Sequence, residues 1–163
     1  MQFSTRGRYA IMAMLDLAEM RAHSDKPVTL AQIAERQRIS LSYLEQLFAK
    51  LRKHGIVESL RGPGGGYNLA RDAGHIWLAE IVAAIDEDID LTRCKTLYKL
   101  EGIHPQTGCV VGRPCNAHGL WMAMSRHMER FLQRVSLQMV LDGDVGEDFN
   151  IVPAGKAARV EIH

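Results

Sequence analysis

Residues 29–70 read TLAQIAERQRISLSYLEQLFAKLRKHGIVESLRGPGGGYNLA, and the architecture can be worked out from this stretch. Thr29 is followed three residues later by Gln32, which is the pattern of a capping box. In that motif each side chain satisfies a backbone N–H that the first turn of a helix leaves unpaired. The pattern therefore predicts a short helix that begins after Thr29 and ends near Gln37.

A second helix is predicted after a turn at residues 38–40. Ser40 or Ser42 is suited to cap it, and Gly55 is suited to end it. Its apolar residues recur three and four apart, which gathers them on one face: Leu44, Leu47, Phe48 and Leu51. Two short helices joined by a tight turn predict a helix-turn-helix over about residues 29–53.

A β-hairpin is predicted directly after these helices. Short strand-like runs lie on either side of the RGPGGGY segment at residues 61–67, whose glycines and proline favour a turn. A hairpin over about residues 56–70 would stand beside the second helix as a wing. Residues 1–75 are therefore expected to form a winged helix-turn-helix domain, in a mainly α chain with a small β-hairpin.

Further helices are predicted outside this stretch. A first helix over about residues 5–22 should bury a stripe at Ile11, Met14, Leu15 and Ala18, and residues 76–91 should form a linking helix. A long C-terminal helix is expected from His118 to Leu141, with an apolar seam for dimerisation along residues 119–141, at Trp121, Met124, Met128, Phe131 and Val135. Residues 142–163 lack periodicity and are expected to form a mobile tail.

Composition and charge narrow the class of protein. The 163 residues are 47% hydrophobic and 24% charged, which excludes a wholly disordered chain. No apolar run long enough for a membrane span or a signal peptide occurs, so a cytoplasmic protein without a membrane partner is expected. Residues 1–75 carry eleven Lys and Arg against seven Asp and Glu, and this basic balance favours a polyanionic partner.

The predicted second helix and wing carry side chains suited to DNA. A helix of this length fits the major groove, and its N-terminal residues would face the bases. Lys50, Arg52, Lys53, Arg6 and Arg8 are candidates for phosphate contacts. The side chains expected to meet the bases are Ser40, Ser42, Tyr43, Glu45 and Gln46. From the wing, Arg61 is expected to meet the minor groove or the DNA backbone.

The three cysteines lie close together, between residues 94 and 115. With His118 they follow the pattern Cys94-x14-Cys109-x5-Cys115-x2-His118, which supplies four soft or borderline donors. Spacing alone leaves zinc and an iron-sulfur cluster equally open. A disulfide framework is not expected from an odd number of cysteines in a reducing compartment.

Several segments resemble the family of IscR-like iron-sulfur cluster regulators of bacteria. These segments are STRGRYA at 4–10, ISLSYLEQLF at 39–48, LRKHG at 51–55, RGPGGGY at 61–67, DLTRC at 90–94 and CNAHGLW at 115–121. The resemblance covers about residues 1–141. It implies a homodimeric winged helix-turn-helix transcription regulator, a repressor or activator depending on the promoter, that controls iron-sulfur cluster assembly genes.

The resemblance also implies a ligand set and a set of DNA contacts. A [2Fe-2S] cluster would be held in a loop at residues 92–118, by Cys94, Cys109, Cys115 and His118. Glu45 matches the position that discriminates between operator types, while Ser40, Ser42, Tyr43, Gln46, Arg61 and the adjacent Gly62 match DNA contacts. Operator DNA, a second copy of the chain and iron-sulfur assembly scaffold proteins are the expected partners.

The sequence departs from the family pattern in one respect, and it leaves two alternative functions to consider. The interval between Cys94 and Cys109 is longer than is usual in the family, and His104 lies within it as a further donor. A zinc-stapled or metal-free DNA-binding protein without sensing is the main alternative. A thiol-based redox enzyme is disfavoured because the sequence lacks a Cys-x-x-Cys motif, and no enzymatic triad is evident.

Overall fold

The computed structural model describes residues 4–87, residue 89 and residues 116–145. Its elements, in chain order, are α1 (Thr5–His23), α2 (Leu30–Gln37), α3 (Leu41–Lys53), β1 (Val57–Leu60), β2 (Gly66–Leu69), a 3-10 turn (Ala73–His75), α4 (Leu78–Ala84), α5 (His118–Arg134) and α6 (Leu137–Asp142). The mainly α fold with one small hairpin is therefore as the sequence predicts. None of the described helices is long and apolar enough to cross a membrane.

The helix-turn-helix follows the predicted capping chemistry closely. The Thr29 side chain accepts a hydrogen bond from the Gln32 backbone N–H, and the Gln32 side chain accepts one from the Thr29 N–H. Arg38 ends α2 in the left-handed conformation, with φ 53°. Ser40 occupies the N-cap of α3, as predicted, but its side chain makes no capping hydrogen bond there.

The face that α1 buries differs from the predicted stripe. Met14 and Ala18 are buried as expected, but Ile11 and Leu15 are only partly buried. The fully buried positions lie one residue to the side, at Ala10, Ala13 and Leu17. Small alanine side chains let α1 approach its neighbours closely, so the close packing selects them over the larger residues of the predicted stripe.

The hairpin pairs β1 with β2 in antiparallel register, from Val57 opposite Leu69 to Leu60 opposite Gly66. Val28 forms an isolated antiparallel bridge to this hairpin, since its N–H and C=O both pair with the backbone of Tyr67, at 3.0 and 2.7 Å. Gly66 is required at this point, because a Cβ there would lie 2.7 Å from the Val28 carbonyl oxygen. The wing is thereby fixed to the segment that precedes α2.

One hydrophobic core continues from the winged domain into the later helices. Ile76, Ile81, Ile85 and Leu137 are fully buried in the same cluster as Met14 and Phe48. The chain pairs across this junction, because Leu78 N–H donates to the Val135 carbonyl at 2.9 Å and Leu137 N–H donates to the Ile76 carbonyl at 3.0 Å. α4 and α6 are therefore parts of the folded body around the helix-turn-helix.

The predicted continuous helix from His118 to Leu141 is wrong. Val135 takes an extended conformation, with φ −102° and ψ 118°, and this ends α5. Ser136 then caps α6 by accepting a hydrogen bond from the Met139 N–H. Val135, placed in the predicted seam, is instead 1% exposed within its own chain. The break occurs because residues 135 and 137 pair with the backbone of Leu78 and Ile76, where α4 begins.

Two predicted segments lie mostly outside the described residues. The loop at residues 92–118 is described only from residue 116 onward, and the tail at residues 142–163 is described only as far as residue 145.

Candidate nucleic-acid interface and metal donors

The outward side of α3 carries the side chains predicted to read bases. Ser42, Glu45 and Gln46 are exposed, and Ser40 is exposed at the N-cap. The opposite side is buried in the core through Leu44, Leu47, Phe48 and Leu51. A helix of 13 residues is about 20 Å long, so the exposed side presents a single polar surface that a major groove can accommodate.

Tyr43 lies at the flank of this surface and is half-buried. Its ring meets the ring of Tyr9 edge to face, with centroids 6.0 Å apart and an interplanar angle of 86°. Edge-to-face contact is a favoured arrangement for aromatic pairs. The N-terminal half of α1 therefore orients a predicted DNA contact, a relationship that the sequence pattern did not reveal.

The wing tip projects Arg61 into solvent. Gly62 and Gly64 adopt φ 103° and 78°, and the Gly65 N–H donates to the Gly62 carbonyl at 2.9 Å. These positive φ angles are readily available to glycine, and they fold the tip into a tight turn. The exposed guanidinium of Arg61 thus stands at the start of a narrow turn whose backbone can approach another molecule closely.

Several contacts hold the wing and α3 in one arrangement. Arg52 donates to the Ser59 hydroxyl at 3.2 Å, and the rings of Phe48 and Tyr67 meet edge to face at 5.0 Å. The predicted DNA contacts on α3 and on the wing therefore lie on elements that pack directly against each other. Arg52, predicted to contact phosphate, has this additional role.

Arg71 reinforces the base of the wing. Its guanidinium donates to the Gly55 carbonyl at 3.2 Å, to the His75 carbonyl at 2.9 Å and to the Glu80 carboxylate at 2.5 Å. Glu80 in turn accepts from the Trp77 N–H at the start of α4. One side chain thus joins the end of α3 to the start of α4.

Lys50, which is predicted to contact phosphate, has a partner within its own chain. Its ammonium donates to the Asp86 carboxylate at 2.7 Å, so in this structure its partner is a carboxylate of the same chain. That hydrogen bond, together with the positive charge of Lys50, lowers the pKa of Asp86. Asp86 is therefore charged throughout the neutral range, among cations suited to contact phosphate.

An ion pair with a buried carboxylate was not predicted from the sequence. Asp16 of α1 is 4% exposed, and its carboxylate accepts hydrogen bonds from Arg36 at 2.6 to 3.1 Å and from Gln37 at 2.8 Å. The hydrogen bond to Asp16 raises the pKa of Arg36. The sequence feature that could have indicated this pair is the aspartate between Leu15 and Leu17, in the part of α1 that faces the core.

The predicted metal donors are only partly described. His118 is partly buried and begins α5, directly after the N-cap Ala117. Cys94, Cys109, Cys115 and the further donor His104 lie outside the described residues. Among residues 4–87, 89 and 116–145, no group of three or more metal-binding side chains comes together. The ligand assignment consequently rests on the sequence pattern.

A capped helix-turn-helix, an outward polar helix and an adjoining glycine-rich wing define a winged helix-turn-helix DNA-binding protein. The sequence profile of the Rrf2 family, described as iron-dependent transcriptional regulators, matches residues 3–143. The chain belongs to this family.

Curated relatives agree with that assignment. The HTH-type transcriptional regulator IscR of Xenorhabdus nematophila is 50% identical over 139 residues, which cover 85% of this chain and 77% of the relative. The regulator of the same name from Photorhabdus laumondii is 46% identical and covers 96% of this chain and 94% of the relative. These relatives confirm a DNA-binding transcription regulator rather than an enzyme.

Solved structures show the same fold. T. potens IscR superposes with a TM-score of 0.66 at 33% identity, covering 88% of each chain. CymR, the global cysteine regulator of B. subtilis, superposes with a TM-score of 0.67 at 26% identity, covering 88% of this chain and 98% of its own. The resemblance noted in the sequence is thus confirmed over most of the chain.

Proposed function

We propose that this chain is a homodimeric regulator of iron-sulfur cluster assembly genes whose binding to operator DNA depends on a [2Fe-2S] cluster. The observation that carries the proposal is the polar surface of α3 held beside the Arg61 wing. A candidate ligand, His118, begins α5 of the same chain. Residues 1–75 would bind DNA, residues 92–118 would hold the cluster, and the exposed apolar side of α5, within the predicted seam at residues 119–141, would form the dimer interface.

The exposed groups of α3 suit direct readout in the major groove. The Gln46 amide can bond adenine in two places, and the Glu45 carboxylate can accept from a cytosine amino group. A carboxylate near a phosphate or a base carbonyl is repelled, so Glu45 is suited to reject some operators as well as accept others. Ser40, Ser42 and Tyr43 would add hydroxyl contacts, while Arg61 and the Gly62 backbone would bind from the wing.

The donor set suits an iron-sulfur cluster. Thiolates are the usual ligands of such clusters, and replacing one by imidazole raises the reduction potential and adds a ligand that can be protonated. His118 stands at the N-terminus of a 17-residue helix, where the partial positive charge of the helix favours a neighbouring anionic centre. When bound, the cluster would supply a labile, redox-active group that is suited to reporting on iron and sulfur supply.

The test is an anaerobic visible spectrum of freshly purified protein, with iron, sulfide and zinc assays. We expect about two irons and two sulfides per chain, with charge-transfer bands in the visible range. Cys94→Ala, Cys109→Ala, Cys115→Ala and His118→Ala should each lose or labilise the cluster, and His104→Ala is the matched control that should retain it. A variant that keeps its full iron content is not a ligand.

The same samples then test sensing. Operator fragments are titrated with the cluster-loaded protein and with the apo protein, because a ligand shifts DNA binding only if the two forms differ in affinity. We expect the two forms to differ at the promoter of the cluster assembly genes. Equal affinity at every operator would contradict sensing, and a colourless zinc-loaded protein would instead support the zinc-stapled regulator.

A further inference from the structure

Asp86 and Glu87 form an acidic turn that connects α4 to two elements of the DNA-binding surface. The Asp86 carboxylate binds Lys50 of α3, and the Glu87 carboxylate accepts from the hydroxyl and N–H of Ser4 at 2.6 and 3.3 Å. Ser4 is the N-cap of α1. The turn therefore contacts both helices that carry the candidate phosphate-binding cations.

The backbone of this turn is well defined. The Asp86 N–H donates to the Ala83 carbonyl and the Glu87 N–H donates to the Val82 carbonyl, both at 3.1 Å, which is the pattern of a Schellman motif. That motif places Asp86 in the left-handed region, with φ 57°, where glycine is usual and asparagine is tolerated. An aspartate at this position carries a conformational cost and contributes a charge that glycine would lack.

The position of Lys50 makes that charge relevant to DNA. Lys50 lies two turns after Tyr43 and one turn after Gln46, at the edge of the outward surface of α3. Residues at the edge of a recognition helix are suited to reach the phosphates that line the groove. The ion pair is exposed, with 41% of the Lys50 side chain and 73% of the Asp86 side chain accessible to solvent, so a phosphate can displace the carboxylate at small cost.

We propose that Asp86 sets the affinity of the DNA interface by holding the Lys50 ammonium that would otherwise bind a backbone phosphate. Each DNA-binding event must then exchange a carboxylate for a phosphate at Lys50. This inference rests on the proposed placement of α3 in the major groove. It adds an intramolecular competitor to that interface.

The experiment measures apo protein binding to a duplex of mixed sequence by fluorescence anisotropy, between about 50 and 200 mM KCl. Asp86→Asn keeps a residue that tolerates the left-handed conformation but removes the charge. We expect it to bind about two- to fivefold more tightly at ~0.1 M salt, with a salt slope steeper by about 0.9 for each additional phosphate that the protein neutralises. Asp86→Gly, which suits the same backbone, should behave alike.

A double-variant cycle separates local competition from a general change in charge. Lys50→Gln should bind more weakly with a shallower slope, and Asp86→Asn should have little further effect in that background. Asp144→Asn, which removes a charge from an exposed position after α6 and outside the proposed DNA interface, is the matched control and should leave the slope unchanged. An equal increase in affinity from Asp86→Asn with and without Lys50 would overturn the proposal.

The outcomes also separate this inference from the proposed interface. Arg61→Ala should weaken binding if the wing meets DNA as proposed. If Arg61→Ala weakens binding but Asp86→Asn leaves affinity and slope unchanged, the Asp86 proposal alone is wrong. If Arg61→Ala and Lys50→Gln both leave binding unchanged, the placement of α3 and the wing on DNA is wrong, and the Asp86 proposal falls with it.

Discussion

The carboxylate of Asp16 shows how a single buried charge can join two helices. It is 4% exposed and receives hydrogen bonds from two residues at the end of α2, so its desolvation is offset by close and directional partners. α2 precedes the turn into α3, and its orientation therefore affects where α3 points. The ion pair stabilises the arrangement that presents α3 outward.

Removing Arg36 should destabilise the protein markedly. Arg36→Ala leaves the Asp16 carboxylate buried with Gln37 as its remaining partner among these bonds, and loss of one member of a buried pair costs several kcal/mol. Because 34% of the Arg36 side chain is exposed, water can replace part of the lost interaction, and we expect a loss of about 2 to 3 kcal/mol. Urea unfolding followed by circular dichroism measures this loss as a lower midpoint at an unchanged m-value.

An ion pair at the C-terminal end of α1 provides the control for Arg36. Arg21 and Asp25 are 4.0 Å apart, and the Asp25 side chain is fully exposed. Arg21→Ala should therefore change the free energy of unfolding by less than about 1 kcal/mol. Equal losses for the two variants would show that burial of Asp16 does not govern the effect.

At the scale of elements, the wing depends on a close backbone approach. Gly66 faces the carbonyl of Val28, and an added Cβ would lie 2.7 Å from that oxygen and 2.8 Å from the carbonyl carbon. Backbone atoms cannot rotate away as a flexible side chain could. A substitution at Gly66 must therefore move β2 away from residues 27–28.

Gly66→Ala should weaken the wing more than it weakens the helices. We expect a loss of about 1 to 3 kcal/mol in unfolding free energy, as for other overpacked sites, together with weaker DNA binding because Arg61 is displaced. Gly119→Ala is the control, since a Cβ at this position in α5 meets no atom of the described residues within 4 Å and alanine favours helix. Hydrogen exchange should show faster opening at the Tyr67 N–H for Gly66→Ala alone.

An element could be predicted from the sequence where the interactions that form it lie within a few residues of each other. The capping box at Thr29 and the turn glycines of the wing act within a few residues, so the sequence pattern predicted α2, α3 and the hairpin closely. The break at Val135 depends on backbone pairing with residues 76–78, about sixty residues earlier in the chain. No periodicity within residues 118–141 carries that information, and the Lys50–Asp86 pair eluded prediction for the same reason.

At the scale of the whole molecule, the core joins the helix-turn-helix to the helices that follow it. α4 packs against α1 and α5, and its C-terminal turn contacts Ser4 and Lys50. A shift of the segment after α4 would therefore reach α1 and α3 through direct contacts. The turn at Asp86 and Glu87, which precedes the cysteine-bearing segment in sequence, is thus in direct contact with the proposed DNA interface.

The remaining apolar side of α5 bears on the oligomeric state. With Val135 buried in its own chain, the predicted seam is reduced to Trp121, Met124, Met128 and Phe131, which are partly exposed, next to Leu120 at 57% exposure. An apolar stripe of this kind, on a helix about 25 Å long, is suited to pack against a second copy. The break in the helix shortens the proposed seam without removing it.

Met124→Glu should convert the proposed dimer into a monomer, because two-fold symmetry places a charge from each chain in the same apolar interface. Gln133→Glu adds the same charge on the side of α5 that lines a groove with α4, and it should leave the dimer intact. Sedimentation velocity distinguishes the two, and the monomer should also bind a two-half-site operator more weakly because paired binding is lost. If Met124→Glu remains a dimer, or if both variants become monomers, the result contradicts the proposed interface. The seam that the sequence pattern predicts would then not be the dimer contact.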